Sequence, residues 1–227
     1  MTMISSHSLS QKYKNELITN GIVRIPDFLT ATFASELKTN VQGLSFNKAV
    51  VLNGKPVELT KDILKGFTKD DYQSMNNQIA LSASQGVGFI YGRCNINEDS
   101  PSVFGRLLES LNSHSFINFL ESTSNEKIKS LDCQATEYRH GDFLTRHNDI
   151  SVIEKRIYAY AISLSEYWHS DWGGALHFLD KNGSITNSLL PEYNSITIFN
   201  VEKIHSVSYI TPFAQRPRYS LTGWFKG

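Results

Sequence analysis

The chain has 227 residues, 40% of them apolar and 19% charged, and its 22 Lys and Arg balance 22 Asp and Glu. That composition excludes a disordered chain and a collagen-like repeat. Zero net charge argues against a nucleic-acid or anionic-membrane binder that works through a bulk positive field. The length suits one domain over residues 1–227, large enough to need no disulfide staples. The N-terminal stretch lacks the apolar core of a signal peptide, and no run is apolar enough to span a membrane. A soluble cytoplasmic protein is expected, working as a monomer or simple homo-oligomer. Cys94 and Cys133 have no CxxC partner and read as reduced, buried thiols.

The first half, to about residue 128, reads as mainly helical. A short amphipathic helix is expected over 9–18, then a short apolar strand over 21–25 that Pro26 stops. Residues 31–41 place Phe33, Leu37 and Val41 on one helical face, with Thr30 as N-cap. A loop or hairpin is expected around Asn53-Gly54. Residues 70–81 read as helical. So do 104–120, where Leu107, Leu108, Leu111, Phe116 and Phe119 fall on helical spacings.

From about residue 129 the period changes to two. Short β-type runs are expected at 133–138, 156–164, 175–179, 195–199, 206–210 and 218–225, with a hairpin turn at Asp180-Lys181-Asn182-Gly183. Closely spaced short strands imply a sandwich or barrel, so the expectation is a helical layer packed on one β-barrel core.

His147, Asp149 and His205 carry the chemistry. In extended backbone, residues two apart share a side, so His147 and Asp149 can bind one ion. With His205 they make the two-histidine, one-carboxylate set that holds non-haem Fe(II). Alone, an HxD pair is weak, and a solvated loop histidine explains it as well. The downstream strand raises its weight: Arg218, Ser220 and Thr222 alternate onto one face, while Tyr219, Leu221 and Phe225 take the other. A guanidinium inside a barrel needs an anion. The far carboxylate of a dicarboxylate would take the fork of Arg218 and the hydroxyl of Ser220. Pairing of Arg218 with a core Asp or Glu is the alternative. Gly173-Gly174 lacks the helix and Lys of a phosphate loop and reads as a place where two backbones approach closely. His140 and His177 have no pairing as ligands. His7, His114 and His169 read as surface or loop residues.

In order, the stretches TEYRHGDFLTRHND (136–149), KRIYAYAISL (155–164), DWGGALHFLD (171–180), NSITIFNVEKIHSVSYI (194–210) and RPRYSLTGWFKG (216–227) resemble the 2-oxoglutarate- and Fe(II)-dependent oxygenases, specifically the prolyl 4-hydroxylase-like branch. Residues 21–41 and 113–126 resemble the family as well. The resemblance implies a double-stranded β-helix, or jelly-roll barrel, mainly β with supporting helices. It implies Fe(II) on His147, Asp149 and His205, and 2-oxoglutarate on Arg218 with Ser220 or Thr222. It makes Tyr138 a residue of the cosubstrate pocket and Arg156 and Trp224 residues of the substrate side; a surface charge and a core aromatic are their plainer readings. O₂ is the second cosubstrate, and ascorbate an optional reductant.

The implied activity is hydroxylation of a prolyl residue in a protein or peptide, with no nucleic-acid or membrane partner. Hydroxylation of a free amino acid or an amino-acid-derived metabolite is the alternative. Two rivals belong to other classes: a cupin-type isomerase or lyase holding Zn or Mn, and a binding module without turnover. One departure stands out. Ser163 takes a position where the branch often has a pocket tyrosine, beside Ala159 and Ala161. The carboxylate Asp149 is retained, which disfavours halogenation.

Overall fold

The structure is a computed structural model that describes residues 3–227. The chain runs through α1 (Gln11–Asn20), β1 (Ile22–Ile25), α2 (Ala31–Gln42), β2 (Asn47–Leu52), β3 (Lys55–Leu59), α3 (Lys61–Lys65), α4 (Lys69–Ser84), β4 (Phe89–Asn95), α5 (Ser102–Leu111) and α6 (His114–Ser124). It continues through β5 (Ser130–Leu131), β6 (Gln134–Tyr138), β7 (Phe143–His147), β8 (Arg156–Ser163), β9 (Leu176–Leu179), β10 (Ile185–Leu189), β11 (Ser195–Asn200), β12 (Ile204–Val207) and β13 (Arg218–Lys226). The strands form one antiparallel, 13-stranded sheet ordered β1-β11-β8-β13-β6-β4-β7-β12-β9-β10, with β2, β3 and β5 attached at its side. The sheet curls on itself into a half-barrel, the mainly β class with supporting helices.

Period-two alternation divides the long strands between two environments. On β8, Tyr158, Tyr160 and Ile162 face the helices, with Tyr219, Leu221 and Phe225 of β13 beside them. There they pack against Phe33, Leu37 and Val41 of α2, Phe104, Leu107 and Leu111 of α5, and Phe116 and Leu120 of α6. The opposite face is the barrel interior, where Ala159 shares a second cluster with Tyr91, Tyr138, Leu176, Phe178, Phe199 and Val207. The helical layer thus absorbs the large side chains of one sheet face. The other face surrounds a cavity lined by both apolar and polar residues.

Several local expectations need correction. The helix expected over 104–120 is two helices: α5 closes at Asn112, and Ser113 begins α6. Thr30 stands at the N-cap of α2, but its side chain makes no capping bond. Thr68 does cap α4, through a reciprocal pair with Asp71. The first half is less helical than its periodicity suggests. Its β2–β3 hairpin turns at Asn53-Gly54, both at positive φ as a two-residue turn of the primed type requires. β2 then pairs with β4, which pairs with β6 and β7, so these strands belong to the main sheet. The hairpin at Asp180–Gly183 joins β9 to β10, with Asp180 Oδ1 accepting from the amides of Asn182 and Ser184.

Two glycines are fixed by close backbone approach. A Cβ on Gly173 would collide with the carbonyl oxygen of Tyr209, and its φ of +69° already excludes most side chains. A Cβ on Gly223, in the middle of β13, would collide with the carbonyl oxygen of Asp132. Gly223→Ala should therefore destabilise the protein by about 1–3 kcal/mol, the usual cost of overpacking a tight interior. Urea unfolding of the variant beside wild type measures this. An unchanged midpoint would show that β13 shifts freely, which the pairing of β13 on both sides argues against.

Candidate active site

His147 ends β7 and His205 is the second residue of β12; the two are cross-strand partners in the β7–β12 ladder. His147 therefore stands on a strand of its own, not simply after the strand that ends at Tyr138. Asp149 follows two residues beyond His147, its amide bonded to the carbonyl of Val201. Asp149 Oδ1 lies 3.6 Å from His147 Nε2, and Oδ2 lies 3.5 Å from His205 Nε2. One ligand atom from each residue falls within 4.8 Å of the others, so the three can hold one metal ion.

Each imidazole is oriented through its other nitrogen. His147 Nδ1 is 3.0 Å from the carbonyl of Thr145, and His205 Nδ1 is 2.9 Å from that of Lys203. A carbonyl only accepts, so Nδ1 carries the proton and Nε2 keeps its lone pair toward Asp149. Burial, reinforced by the neighbouring His147, pushes His205 down to about 4. Near neutral pH it is an uncharged imidazole, the form that binds a metal. Phe199 packs edge-on against the His205 ring, with centroids 4.7 Å apart, and holds it from behind. Donor set, tautomers and spacing fit a divalent ion of the Fe(II) type.

The triad opens into a cavity of about 530 Å³ between β4, β6, β8 and β13 on one side and β7, β9 and β12 on the other. Arg218 lies along it, only 6% exposed. Its Nε has no partner, and among the described residues no carboxylate pairs with it. Burial holds its pKa below the ordinary arginine value. The guanidinium carbon sits 5.3 Å from the Tyr138 ring centre. A buried cation without an anion is costly, so this cavity is built to receive one. Tyr138 stacks on Tyr91 with centroids 5.0 Å apart, and burial keeps its phenol protonated and able to donate.

The remaining residues singled out from the sequence separate into two groups. Thr222 and Trp224 line the cavity with Arg218 and Tyr138. Ser220 does not: it is fully enclosed beside Ser163, its cross-strand partner, and neither hydroxyl has a hydrogen-bond partner. Arg156 is not in the lining either, but its guanidinium lies 3.6 Å from the centre of the Trp224 ring and pairs with Glu154. Ala159 and Ala161 line the wall near the position of Ser163. His140 and His177 stand outside the ligand set. Tyr91, Arg93, Gln134 and Phe199 also line the cavity and were not singled out from the sequence. The apolar run Phe89-Ile90-Tyr91 is the one local signal for β4, and Gly88 and Gly92 on either side mask it.

Residues 133–226 match the family model of the 2OG-Fe(II) oxygenase superfamily. That stretch contains the triad, Arg218, Tyr138 and Trp224. Over 120 residues, 49% of this chain, the sequence is 32% identical to prolyl 3-hydroxylase OGFOD1 of Xenopus laevis. The match spans 23% of that relative's length. Among solved structures, a Pseudomonas putida prolyl-4-hydroxylase shares the fold with a TM-score of 0.67 at 18% identity, over 95% of this chain and 97% of that one. A prolyl hydroxylase from Trichoplax adhaerens, in complex with a peptide fragment of the hypoxia inducible factor oxygen degradation domain, scores 0.68 at 18% identity over 94% and 87%.

Proposed function

We propose that this chain is a 2-oxoglutarate- and Fe(II)-dependent hydroxylase that acts on a prolyl residue of a protein or peptide. The observation that carries the proposal is the sealed, unpaired guanidinium of Arg218 in the same cavity as His147, Asp149 and His205. In this reading the triad holds Fe(II), and Arg218 takes the far carboxylate of 2-oxoglutarate. Tyr138 and Thr222 act beside Arg218; Ser220 is a weaker candidate because it is enclosed behind the lining. Trp224, backed by Arg156, forms part of the substrate side. The bound iron with O₂ supplies the oxidation, in which 2-oxoglutarate becomes succinate and CO₂ and a substrate C–H becomes C–OH.

The chain's own residues orient and exclude. His205 and His147 turn their Nε2 atoms toward Asp149, the one carboxylate of the ligand set. Phe199, Leu176, Val207 and Leu144 wall the cavity with hydrocarbon, which keeps water away from the reacting centre. The charge inventory bears on the substrate. Arg93, Arg146 and Arg218 line the cavity, whereas Asp149 is its only lining carboxylate among the described residues. A free amino acid brings an ammonium for which this lining has no second anion. A prolyl residue within a chain brings neutral amides, so the cavity favours it over the free amino acid.

Succinate release from proline-containing peptides, with Fe(II), 2-oxoglutarate, ascorbate and air, tests the activity, and mass spectrometry of the peptide should show a gain of one oxygen. Turnover of free amino acids in preference to peptides would overturn the substrate class. The ligand set also predicts that Co²⁺, Ni²⁺ and Zn²⁺ compete with Fe(II) and inhibit, because His and carboxylate ligands bind them at least as well as iron. Inhibition that excess Fe(II) relieves is the expected result. Full activity with Zn²⁺ and no O₂ consumption would indicate an isomerase or lyase instead. The proposal places the protein in the cytoplasm, in keeping with Cys94 and Cys133 as free thiols. Among the described residues, no helix is long and apolar enough to cross a membrane.

A further inference from the structure

Tyr91 stands in the middle of β4 and lines the cavity. Its ring is stacked on that of Tyr138, with 16° between the planes, and packs against Phe89 with centroids 5.5 Å apart. The residue is 8% exposed, so the ring is held and the hydroxyl has a fixed direction. Ser163 and Ser220 keep unpartnered hydroxyls too, but theirs are sealed, whereas Tyr91 borders the cavity.

The phenol has a proton to give and nothing to give it to. The Arg93 guanidinium lies beside it, and a guanidinium donates without accepting. Among the described residues, no acceptor takes the phenol proton. Arg93 is itself fixed: its Nε donates to Glu58 Oε2 at 3.0 Å, and Asn47 Nδ2 donates to Glu58 Oε1 at 2.8 Å. Burial keeps the Tyr91 phenol protonated. The negative charge of Asp149 acts in the same direction, which sets the hydroxyl toward the metal end of the cavity.

Several other donors of the lining are already engaged. Tyr160 donates to the carbonyl of Asp132, Thr136 to that of Ser220, and Gln134 to Thr222. Trp224 Nε1 is sealed. A prolyl residue within a chain has no N–H of its own; its polar group is a carbonyl, which accepts. A site that orients such a residue therefore needs a free donor, and a neutral one avoids setting a bare charge against an amide.

We propose that the Tyr91 hydroxyl is a substrate-positioning donor, which hydrogen-bonds the carbonyl oxygen of the target prolyl residue and so fixes its ring at the metal end of the cavity. The proposal rests on the hydroxylase reading above. Arg93, braced by Glu58 and Asn47, supports the phenol from behind and leaves its proton directed at the substrate.

The test uses the whole protein loaded with Mn(II) and 2-oxoglutarate, which blocks turnover. From a library of fluorescein-labelled 15-residue peptides with one central proline, the tightest binder of wild type by fluorescence anisotropy is carried forward. Tyr91→Phe keeps the stacked ring and removes the hydroxyl. It should weaken peptide binding about three- to tenfold, the contribution of one hydrogen bond, and leave 2-oxoglutarate affinity and thermal unfolding as in wild type. A second form of the peptide carries sulfur, a weaker acceptor, in place of the prolyl carbonyl oxygen. Wild type should lose a similar factor on that exchange, and Tyr91→Phe should lose little more, because the interaction is already gone. A tyrosine with a merely structural role would leave the sulfur penalty the same in both proteins. Equal peptide affinity in wild type and Tyr91→Phe, a full sulfur penalty in the variant, or no peptide bound by a wild type that binds 2-oxoglutarate would each overturn the donor role. A loss of 2-oxoglutarate affinity in Tyr91→Phe without a change in the sulfur penalty would assign the phenol to the cosubstrate instead. Titration of 2-oxoglutarate into wild type reports separately on the hydroxylase reading: failure there removes the reading, whereas failure of the peptide comparison alone removes only the role of Tyr91.

Discussion

Asp149→Ala should reduce succinate production by at least about 100-fold and abolish stabilisation of the protein by metal. Losing a group that merely orients a ligand costs 10–100-fold in affinity or activity, and here a ligand itself is lost. Asp149 is the only carboxylate of the triad, and its two oxygens face the two Nε2 atoms separately. With alanine, only the two imidazoles remain to hold a divalent cation. The thermodynamic readout does not depend on turnover. An ion present at 100 times its dissociation constant stabilises the native state by about 2.7 kcal/mol. Excess Mn(II) should therefore raise the melting temperature of wild type and leave that of Asp149→Ala nearly unmoved. Asp149→Asn keeps the shape and removes the charge, and should behave like the alanine variant. A wild-type rate with a wild-type Mn(II) shift in either variant would remove Asp149 from the ligand set.

The triad was legible because its evidence is local. Two ligands lie two residues apart, and the third opens a later strand whose alternation is clear. The face assignment on β13 was legible for the same reason: Tyr219, Leu221 and Phe225 alternate with Arg218, Ser220 and Thr222, and the structure puts the first set against the helices. That alternation did not show depth. Ser220 shares a strand face with Arg218 and Thr222, yet it is enclosed where they line the cavity. Strands β4 and β7 were missed because each is partly exposed, with glycines interrupting or bordering the first and a charged, polar end to the second. With β4 went Tyr91 and Arg93. Their place in the site depends on the pairing of β4 with β6, a contact between residues some forty positions apart that no local period encodes. The break between α5 and α6 was missed because apolar spacing continues through it; the change of axis at Asn112-Ser113 is a backbone event.

Arg218→Ala should weaken 2-oxoglutarate binding by roughly 30-fold or more, with little change in metal affinity. Removing one partner of a buried, hydrogen-bonded charge pair costs about 2–5 kcal/mol, and each 1.4 kcal/mol is about tenfold. Arg218 is not among the ligand atoms of the metal site, so the two affinities should separate. Arg218→Lys should retain part of the binding but lose the planar fork that matches a carboxylate. Arg216 is the control. It is exposed, with its guanidinium carbon 5.8 Å from the Trp172 ring centre, so Arg216→Ala should bind 2-oxoglutarate like wild type. Isothermal titration into the anaerobic Mn(II) form compares the three variants. Ligand-free stability gives a second, independent arm. If Arg218 were half of a structural ion pair, its removal would destabilise the fold by about 3–5 kcal/mol, because a buried partner would be left unpaired. No carboxylate pairs with it among the described residues, and its burial already disfavours the charge. Arg218→Ala should therefore lose far less stability than that without ligand, and lose the additional stabilisation that 2-oxoglutarate confers on wild type. A large loss of ligand-free stability with unchanged 2-oxoglutarate affinity would make Arg218 a structural residue and take away the observation on which the hydroxylase proposal stands.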